Sequence, residues 1–282
     1  MKKVFLIFAV LTIGLLAACG GNEGNNEAGG TDAEKKEDNK LVVGASNVPH
    51  AEILEEAKPM LEEKGIELEI KTFQDYVLPN KTLASGELDA NYFQHIPYMK
   101  SQMEENEDYD FANAGGIHIE PIGVYSQDYK SLDELPEGAL IIMSNSVADH
   151  GRMLSLLEEE GLITLKEGVE KTEATVDDIA ENPKNLEFKT DVEASLLPQV
   201  YKQGEGDAVL INTNYAIDAG LNPQEDAIAL EGANSPYVNI IAVNKGDEDK
   251  ESIKTLVEVL RSKEIQDFIL EKYKGAVVPV SE

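Results

Sequence analysis

Short apolar runs alternate with amphipathic stretches from Leu41 to the carboxyl terminus. Residues 41–45 are apolar apart from one glycine and predict a buried strand. The next apolar residues recur at helical spacing and predict a helix that ends at Gly65: Ile53, Leu54, Ala57, Met60 and Leu61. Pro59 lies inside this stretch and should kink or split the helix, because proline cannot donate its backbone hydrogen bond.

The same alternation continues along the rest of the chain. Further strands are predicted at residues 68–72, 90–94, 117–125, 139–143, 186–189, 208–212 and 237–243. Further helices are predicted at residues 82–86, 153–161, 194–202, 252–261 and 263–272. Strands that alternate with helices are typical of α/β layers with mainly parallel sheets.

The chain contains enough predicted strands and helices to form two α/β lobes. We expect lobe I to comprise residues 41–126 with 238–282, and lobe II residues 127–237. Ligands bind open α/β sheets beyond the carboxyl ends of the strands, and two facing lobes form a cleft that closes by hinge motion. The predicted fold is therefore α/β, two-lobed and periplasmic-binding-protein-like, with a ligand cleft between the lobes.

The first 40 residues follow a different pattern. Two lysines precede an apolar run that ends in Leu-Ala-Ala-Cys, which predicts a signal peptide at residues 1–18 and resembles a bacterial lipobox at Cys19. Residues 19–40 are polar and glycine-rich, which predicts a flexible tether behind a lipidated, palmitate-bearing Cys19. An ordinary secretion signal with an incidental cysteine is the alternative. We expect a lipid-anchored protein on the extracytoplasmic face of the cell membrane.

The charge of the chain excludes several classes of protein. The formal net charge is −30 over 282 residues, which excludes a general nucleic-acid binder and disfavours a basic surface for anionic lipid. Because Cys19 is the only cysteine, neither an intramolecular disulfide nor a cysteine-based zinc site can form. We expect contact with the membrane through the lipid anchor alone.

Sequence motifs for catalysis are absent. The chain contains no G-x-S-x-G, H-E-x-x-H, P-loop or G-x-G-x-x-G sequence, so we expect no enzyme activity and no cofactor. His95, His118 and Glu120 could instead form a metal site, and a metal-capturing lipoprotein is the alternative function. The histidines could equally be pocket walls or structural hydrogen-bonding groups, and we assign no metal ligand.

Aromatic and amide side chains are concentrated where two predicted strands end. Tyr76, Phe93, His95 and Tyr98 occur with several asparagines and glutamines, and a proline interrupts each segment. Core strands avoid this mixture, whereas ligand pockets are apolar with a few convergent polar groups. We interpret these four residues as a pocket wall, with ordinary core packing as the alternative.

A second group of polar residues could bind the charged ends of an amino acid. Arg152 follows the predicted loop 144–149 and is placed in the first turn of a helix, where it could hold a carboxylate; a salt bridge to an acid is the alternative. Asp149 could be the helix N-cap or the counter-ion of a ligand ammonium group. Asn145 lies in the same loop, and Asn212, Asn214 and Asn239 follow or begin apolar strands. An amide can bind either end of a zwitterion, and these asparagines could also be turn residues.

Seven segments carry a resemblance to a known family. They are PHAEIL at 49–54, FQDYVLPN at 73–80, GELDANYFQH at 86–95, GR at 151–152, ENP at 181–183, AGLNP at 219–223 and SPYVN at 235–239. Together they resemble the NlpA-type family of methionine-binding lipoproteins of ABC importers, over residues 41–280. The resemblance implies two α/β lobes that close on an L-methionine-like amino acid without changing it chemically.

The resemblance also implies roles for single residues. Tyr76, Phe93, His95 and Tyr98 correspond to the wall around the thioether side chain, and Arg152 to the carboxylate anchor. The remaining polar residues correspond to contacts with the ligand's main-chain groups: Asn145, Asp149, Asn212, Asn214 and Asn239. Family members commonly carry an asparagine where this chain has Asp149.

The function implied is that of a monomeric solute-binding protein that delivers methionine, or a close analogue, to an ABC permease and its ATPase. A metal-capturing lipoprotein and an adhesin or scaffold with a vestigial cleft are the other hypotheses.

Overall fold

Two mixed β-sheets with helices against them organise residues 39–232 and 235–280, the part of the chain that the structure, a computed structural model, describes. The predicted signal peptide, the lipidation site Cys19 and nearly all of the predicted tether lie outside these residues. None of the helices within the described ranges combines the length and apolar character needed to span a membrane.

The strands divide into two large sheets and one small one. In chain order they are β1 Lys40–Ser46, β2 Glu67–Phe73, β3 Ala90–His95, β4 Phe111–Ile119, β5 Gly123–Tyr125, β6 Leu140–Ser144, β7 Thr164–Leu165, β8 Ile179–Glu181, β9 Glu187–Val192, β10 Ala208–Ile211, β11 Ala229–Leu230, β12 Val238–Asn244 and β13 Val278–Pro279. The first sheet has the order β13-β4-β12-β3-β1-β2, and the second has the order β11-β5-β10-β6-β9. Strands β7 and β8 form the small sheet.

The α-helices connect most of these strands. They are α1 Glu52–Glu63, α2 Leu78–Ala84, α3 Ile96–Glu105, α4 Val147–Glu159, α5 Leu197–Lys202, α6 Thr213–Asp218, α7 Pro223–Asp226, α8 Glu251–Leu260 and α9 Lys263–Tyr273. A π-helical turn occupies Asn47–Ala51, and 3-10 helices occupy Leu132–Glu134, Lys171–Glu173, Val176–Asp178 and Ala194–Leu196.

Parallel pairing is less dominant than the sequence pattern predicts. In the first sheet β1 is parallel to β2 and β3, but β12 is antiparallel to both of its neighbours. In the second sheet β6 is parallel to β9 and β10, whereas β5 is antiparallel to β10 and β11. The expectation of mainly parallel sheets is therefore wrong. The chain enters the second sheet through β5 and returns to the first through β12, and each of these strands runs antiparallel to both of its neighbours.

Each large sheet has its own hydrophobic core. Val43, Ile53, Leu54, Ile241 and Leu256 are fully or almost fully buried in the cluster around the first sheet. The second sheet has a separate cluster that contains Ile141, Met143, Met153, Leu154 and Leu210. Every one of these side chains lies on an element that the apolar pattern predicts.

Most predicted elements are present, and the differences have local reasons. Helix α1 is continuous, so the expected split at Pro59 is wrong; Pro59 is exposed while the buried Ala57 and Leu61 hold the helix on either side. The predicted strand 117–125 is two strands in different sheets, separated at Pro121. Helices α3 and α6 are not predicted by the apolar pattern, because each directly follows a strand and is rich in polar and aromatic residues.

The change from the first sheet to the second occurs between β4 and β5, which is earlier than the predicted lobe boundary at residue 126. The return occurs between β11 and β12. Strands β3, β6 and β10 each end where a helix begins one to three residues later, at Ile96, Val147 and Thr213. These junctions carry most of the residues of the candidate site.

Candidate ligand-binding site

One cavity collects residues from both sheets. It is lined by Tyr76, Phe93, Gln94, His95, Tyr98, Glu120, Asp149, Arg152, Asn212, Thr213, Asn214 and Asn239. All of the predicted ligand-binding residues except Asn145 are in this set. Their role in binding stays a prediction, but the fold brings together side chains that are up to 163 positions apart in the sequence, from Tyr76 to Asn239.

Three aromatic rings form the apolar wall of the cavity. The ring centroids of Tyr76, Phe93 and Tyr98 lie 5.8–6.0 Å from one another, and the three pack against Ala148. The Tyr98 hydroxyl donates to the backbone carbonyl of Tyr76 at 3.0 Å. Burial raises the pKa of both tyrosines, so their hydroxyl groups stay neutral and act as donors.

His95 is the last residue of β3 and bonds to a residue of α4, the helix that follows β6 of the second sheet. It is the N-cap of α3, where its Nδ1 accepts a hydrogen bond from the backbone N–H of Tyr98 at 3.2 Å. The proton of a neutral ring is then on Nε2, which lies 2.9 Å from Asp149 Oδ1 and donates to it. This bond fixes the ring in one orientation at the edge of the cavity.

Asp149 lies inside the first turn of α4 and is almost fully buried. Ser146 is the N-cap position of this helix, so the predicted N-cap role of Asp149 is wrong. Burial by itself raises the pKa of Asp149, but the hydrogen bond from His95, the charge of Arg152 and the hydrogen bond from Asn212 lower it to about 2. Asp149 is therefore ionised at neutral pH, and its Oδ2 accepts from Asn212 Nδ2 at 3.2 Å.

Arg152 is in the second turn of α4, one turn later than the sequence predicts. Its Nε donates to Glu231 Oε2 at 3.0 Å, and one of its Nη groups donates to the backbone carbonyl of Glu120 at 2.7 Å. The guanidinium carbon also lies 4.7 Å from the centre of the Tyr237 ring. The salt-bridge alternative for Arg152 is thus present in the structure, and the carboxylate-anchor role stays a prediction.

Glu120 connects the cavity to a buried histidine pair. Its Oε1 lies 2.7 Å from His118 Nε2 and 3.1 Å from His50 Nε2. His50 Nε2 is also 3.0 Å from Asn239 Oδ1, and Tyr92 donates its hydroxyl to His118 Nδ1. Burial lowers the pKa of His50 to about 4 and that of His118 to about 3, so both rings are neutral at pH 7.

Comparison with known proteins identifies the family. A family model described as NlpA lipoprotein matches residues 41–281. The chain belongs to the NlpA lipoprotein family. It is 55% identical to the methionine-binding lipoprotein MetQ of Bacillus subtilis over 284 residues, with 100% of both chains covered.

Two further relatives of this NlpA lipoprotein are named as binding proteins. It is 37% identical to the D-methionine-binding lipoprotein MetQ of Escherichia coli, with 93% of this chain and 96% of that protein covered. A nutrient-binding protein from Burkholderia cenocepacia, solved with bound methionine, is 43% identical and superimposes with a TM-score of 0.79 over 85% of this chain and 99% of that one. The family resemblance and the predicted two-lobed, periplasmic-binding-protein-like fold are confirmed.

The predicted metal trio of this NlpA lipoprotein is not assembled. His95 bonds to Asp149, whereas His118 and Glu120 lie beside His50 instead. The candidate ligand atoms of His50, His118 and Glu120 lie within 4.8 Å of one another, but His118 already bonds to Glu120 and His50 to Asn239. Nothing in the names of the relatives supports the metal-capture alternative.

Asn145 and two asparagines of the predicted pocket segments lie outside the cavity. Asn145 is exposed and borders a neighbouring groove with Val77 and Val147. Asn80 and Asn91 are buried and bond to one another and to Gln94, so they form part of the core of the NlpA lipoprotein.

Sequence reasoning gave Tyr92 no role, treated His50 only as one of the histidines that could be pocket walls or structural hydrogen-bonding groups, and considered Glu120 only as a metal ligand. Glu120 did have a usable signal, since it is a lone acid between two apolar segments.

Proposed function

We propose that this protein is an extracytoplasmic solute-binding protein that captures methionine, or a close analogue, for an ABC importer. The observation that carries the proposal is the polarity of the cavity. Three aromatic rings occupy one wall, and buried charged and amide groups, among them Arg152 and Asp149, occupy the rest. This division suits a free amino acid with an apolar side chain, whose charged groups need buried partners.

The aromatic wall and the relatives together favour methionine within that class. Thioether sulfur makes favourable contacts with aromatic rings, and Tyr76, Phe93 and Tyr98 offer three of them. The Bacillus subtilis relative is named for methionine binding, and the Burkholderia cenocepacia relative was solved with methionine bound.

We propose that the two large sheets belong to two lobes, with lobe I at residues 41–126 and 238–282 and lobe II at residues 127–237, except that β5, Gly123–Tyr125, belongs to the sheet of lobe II. The bond between His95 and Asp149 joins the last residue of β3 to the helix that follows β6 of the other sheet, and it would form as such lobes close. Opening would break this contact and expose the cavity to solvent.

The partners follow from the transporter role. A permease would receive methionine from the closed protein, and an ATPase would drive its import. Lipid on Cys19 would hold the protein, as a monomer, at the extracytoplasmic face of the membrane. The ligand would leave unchanged, since binding requires no covalent step.

The test is to identify the ligand directly. Protein purified without added amino acids is denatured, and the released small molecules are identified by mass spectrometry. Ligand-free protein is then titrated calorimetrically with L-methionine, D-methionine, L-leucine and zinc chloride. We expect methionine in the released fraction and tight binding of at least one methionine enantiomer. Stoichiometric zinc binding without any response to amino acids would contradict the proposal.

A further inference from the structure

The chain crosses between the two large sheets twice. It leaves the first sheet after β4 and enters the second at β5 through residues 120–122, the outbound crossing. It returns between β11 and β12 through residues 231–237, the return crossing, of which the structure describes 231, 232 and 235–237. Two lobes that are joined by two such segments change their angle through backbone rotation within them. The contacts made by the crossings therefore decide how far the lobes open.

The Glu231 residue fastens the two crossings to each other. Its backbone N–H donates to the Ile122 carbonyl at 2.9 Å, and the Ile122 N–H donates to Glu231 Oε2 at 3.1 Å. The other carboxylate oxygen, Oε1, accepts from the Ser235 hydroxyl at 2.7 Å. This carboxylate is largely buried, so a donor that lost it would be left unpaired at a cost in free energy.

The outbound crossing is also fastened to helices of the second lobe. Arg152 of α4 donates through Nε to Glu231 Oε2 at 3.0 Å and through Nη2 to the Glu120 carbonyl at 2.7 Å. Thr213, the first residue of α6, donates its hydroxyl to the Pro121 carbonyl. Helices α4 and α6 follow strands β6 and β10 of the second sheet. The outbound crossing is thus held to the second lobe along its whole length.

The first lobe begins immediately beside these contacts. Ile119, the last residue of β4, pairs with Val238 of β12 and Val278 of β13 in the first sheet. The next residue, Glu120, already bonds to Arg152. Rotation on the outbound side is therefore confined to the link between residues 119 and 120, and rotation on the return side to the short link between Ser235 and Val238.

We propose that Glu231 is a hinge clasp: together with Arg152 it holds both crossings on the second lobe and so limits how far the lobes open without ligand. Glu231 is not among the residues that line the cavity, so it is a positioning residue that acts through the crossings. The proposal rests on the proposed ligand-binding function, to which it adds a control of the ligand-free conformation.

The clasp has a quantitative consequence for affinity. The apparent affinity of a ligand is reduced by the fraction of ligand-free molecules in the binding-competent arrangement. A clasp that keeps the lobes near the closed arrangement raises that fraction. Loss of the clasp should therefore widen the ligand-free protein, weaken binding by the same factor, and leave the ligand-bound arrangement unchanged.

The test measures the distance between the lobes. Glu105 ends α3 in the first lobe and Glu193 follows β9 in the second, and both are exposed at the groove beside the cavity. Both are replaced by cysteine and spin-labelled in the full-length chain with Cys19→Ser, so that no other thiol reacts. Pulsed electron paramagnetic resonance gives the distance distribution without ligand and with saturating L-methionine, and the unlabelled proteins are titrated calorimetrically.

The clasp variants should affect only the ligand-free protein. Glu231→Leu should lengthen and broaden the ligand-free distances, and Ser235→Ala, which removes one bond to the clasp, should do so less. Saturating L-methionine should return both variants to the wild-type distance. We expect Glu231→Leu to weaken L-methionine binding by about two- to tenfold, and Ser235→Ala to weaken it by the factor by which the closed fraction falls.

Two further variants separate hydrogen bonding from charge and from general surface effects. Glu231→Gln keeps an amide oxygen that can accept from Ile122 and Arg152, so its ligand-free distances should stay close to those of wild type. Glu225→Leu is the matched control: Glu225 is an exposed glutamate on α7 of the second lobe, and its loss should change neither the distances nor the affinity.

The failures are distinguishable. Wild-type ligand-free distances in Glu231→Leu would overturn the clasp, and so would a broadening that persists with saturating L-methionine, because it would show general loosening of the fold. If Glu231→Leu does not fold, Ser235→Ala decides in the same way. If the wild type responds to no amino acid, the proposed function is wrong, while the ligand-free distances still decide whether Glu231 restricts the hinge.

Discussion

The Arg152 guanidinium is held against the Glu231 carboxylate, with Nε 3.0 Å from Oε2, and the two side chains are 4% and 12% exposed. Burial lowers the pKa of Arg152, but the charges of Glu231 and Asp149 outweigh it and raise that pKa. The pair links α4 to the segment that precedes the return to the first sheet. Arg152 therefore has a structural role in addition to the proposed contact with a ligand carboxylate.

Arg152→Ala should reduce both stability and binding. Removing one partner of a buried ion pair costs about 3–5 kcal/mol, because the remaining charge is desolvated without compensation. Urea unfolding of the ligand-free protein measures the first loss, and titration with L-methionine measures the second.

The control is Arg261→Ala. Arg261 is partly buried and donates to the Gly116 carbonyl at 2.8 Å, away from the cavity, so we expect a loss of about 1 kcal/mol of stability and unchanged affinity. Equal effects of the two substitutions on affinity would argue against Arg152 as a ligand anchor.

Gly151→Ala should destabilise the protein by about 1–3 kcal/mol through overpacking. A Cβ atom at Gly151 would lie 2.1 Å from the backbone carbonyl oxygen of Lys171, which cannot move without displacing the 3-10 helix Lys171–Glu173. Gly232→Ala is the control, because a Cβ atom there meets nothing within 4 Å. Thermal unfolding of both variants gives the comparison, and a Gly151→Ala protein as stable as Gly232→Ala would contradict the packing argument.

Lowering the pH from 6.5 toward 4 should destabilise the ligand-free protein through His50 and His118. Their pKa values are about 4 and 3 in the folded protein and about 6.5 in an unfolded chain, so the unfolded chain binds more protons in this range. The raised pKa of Glu120 acts in the opposite direction, since protonation of that carboxyl favours the folded state at low pH.

We therefore expect His118→Gln to have a shallower decline in the free energy of unfolding than wild type between pH 6.5 and 4. Each unit of lost pKa difference corresponds to about 1.4 kcal/mol. Urea titrations at several pH values measure the slope. Parallel curves for the two proteins would show that His118 does not contribute to the pH dependence.

Charged substitutions in the groove beside the cavity should impair transport without impairing binding. Val77 and Val147 are 57% and 56% exposed, and they border the same groove beside the cavity. Such apolar side chains would be buried against a docked permease, and a carboxylate in their place would be desolvated.

The double variant Val77→Asp/Val147→Asp should lower uptake of labelled methionine severalfold and leave its affinity within about twofold of wild type. Leu270→Asp is the control, since Leu270 is 49% exposed on α9, away from that groove. Uptake is measured in proteoliposomes that contain the permease and ATPase. If Leu270→Asp reduced uptake as much, the permease would not dock at this groove.

Cys19→Ser should move the protein from the membrane fraction to the soluble fraction and leave methionine affinity unchanged. Residues 20–38 separate Cys19 from the described part of the chain, and the first residue that lines the cavity is Tyr76, so lipid on Cys19 would be remote in sequence from the binding site. Fractionation after a high-salt wash measures the first effect, and titration measures the second. Retention of the serine variant in the washed membranes would exclude lipid on Cys19 as the anchor.

The apolar periodicity of the sequence by itself determined most of the elements and the α/β class. Strands such as β1 and β10 and helices such as α1, α8 and α9 are predicted within one to three residues at most ends, because each buries a regular apolar pattern. The motifs were long enough to identify the family, and the polar composition of residues 76–98 was enough to single out a pocket wall. These features are local, so neighbouring residues carry the whole signal.

Only the tertiary structure decided which polar groups face one another. No spacing in the sequence pairs Arg152 with Glu231, His95 with Asp149, or His50 with Asn239 and Glu120, since these contacts join positions 54 to 189 residues apart or segments of different sheets. The same holds for the antiparallel entry of β5 and β12. The group that faces a given polar side chain is set by sheet order and packing, which local patterns do not encode.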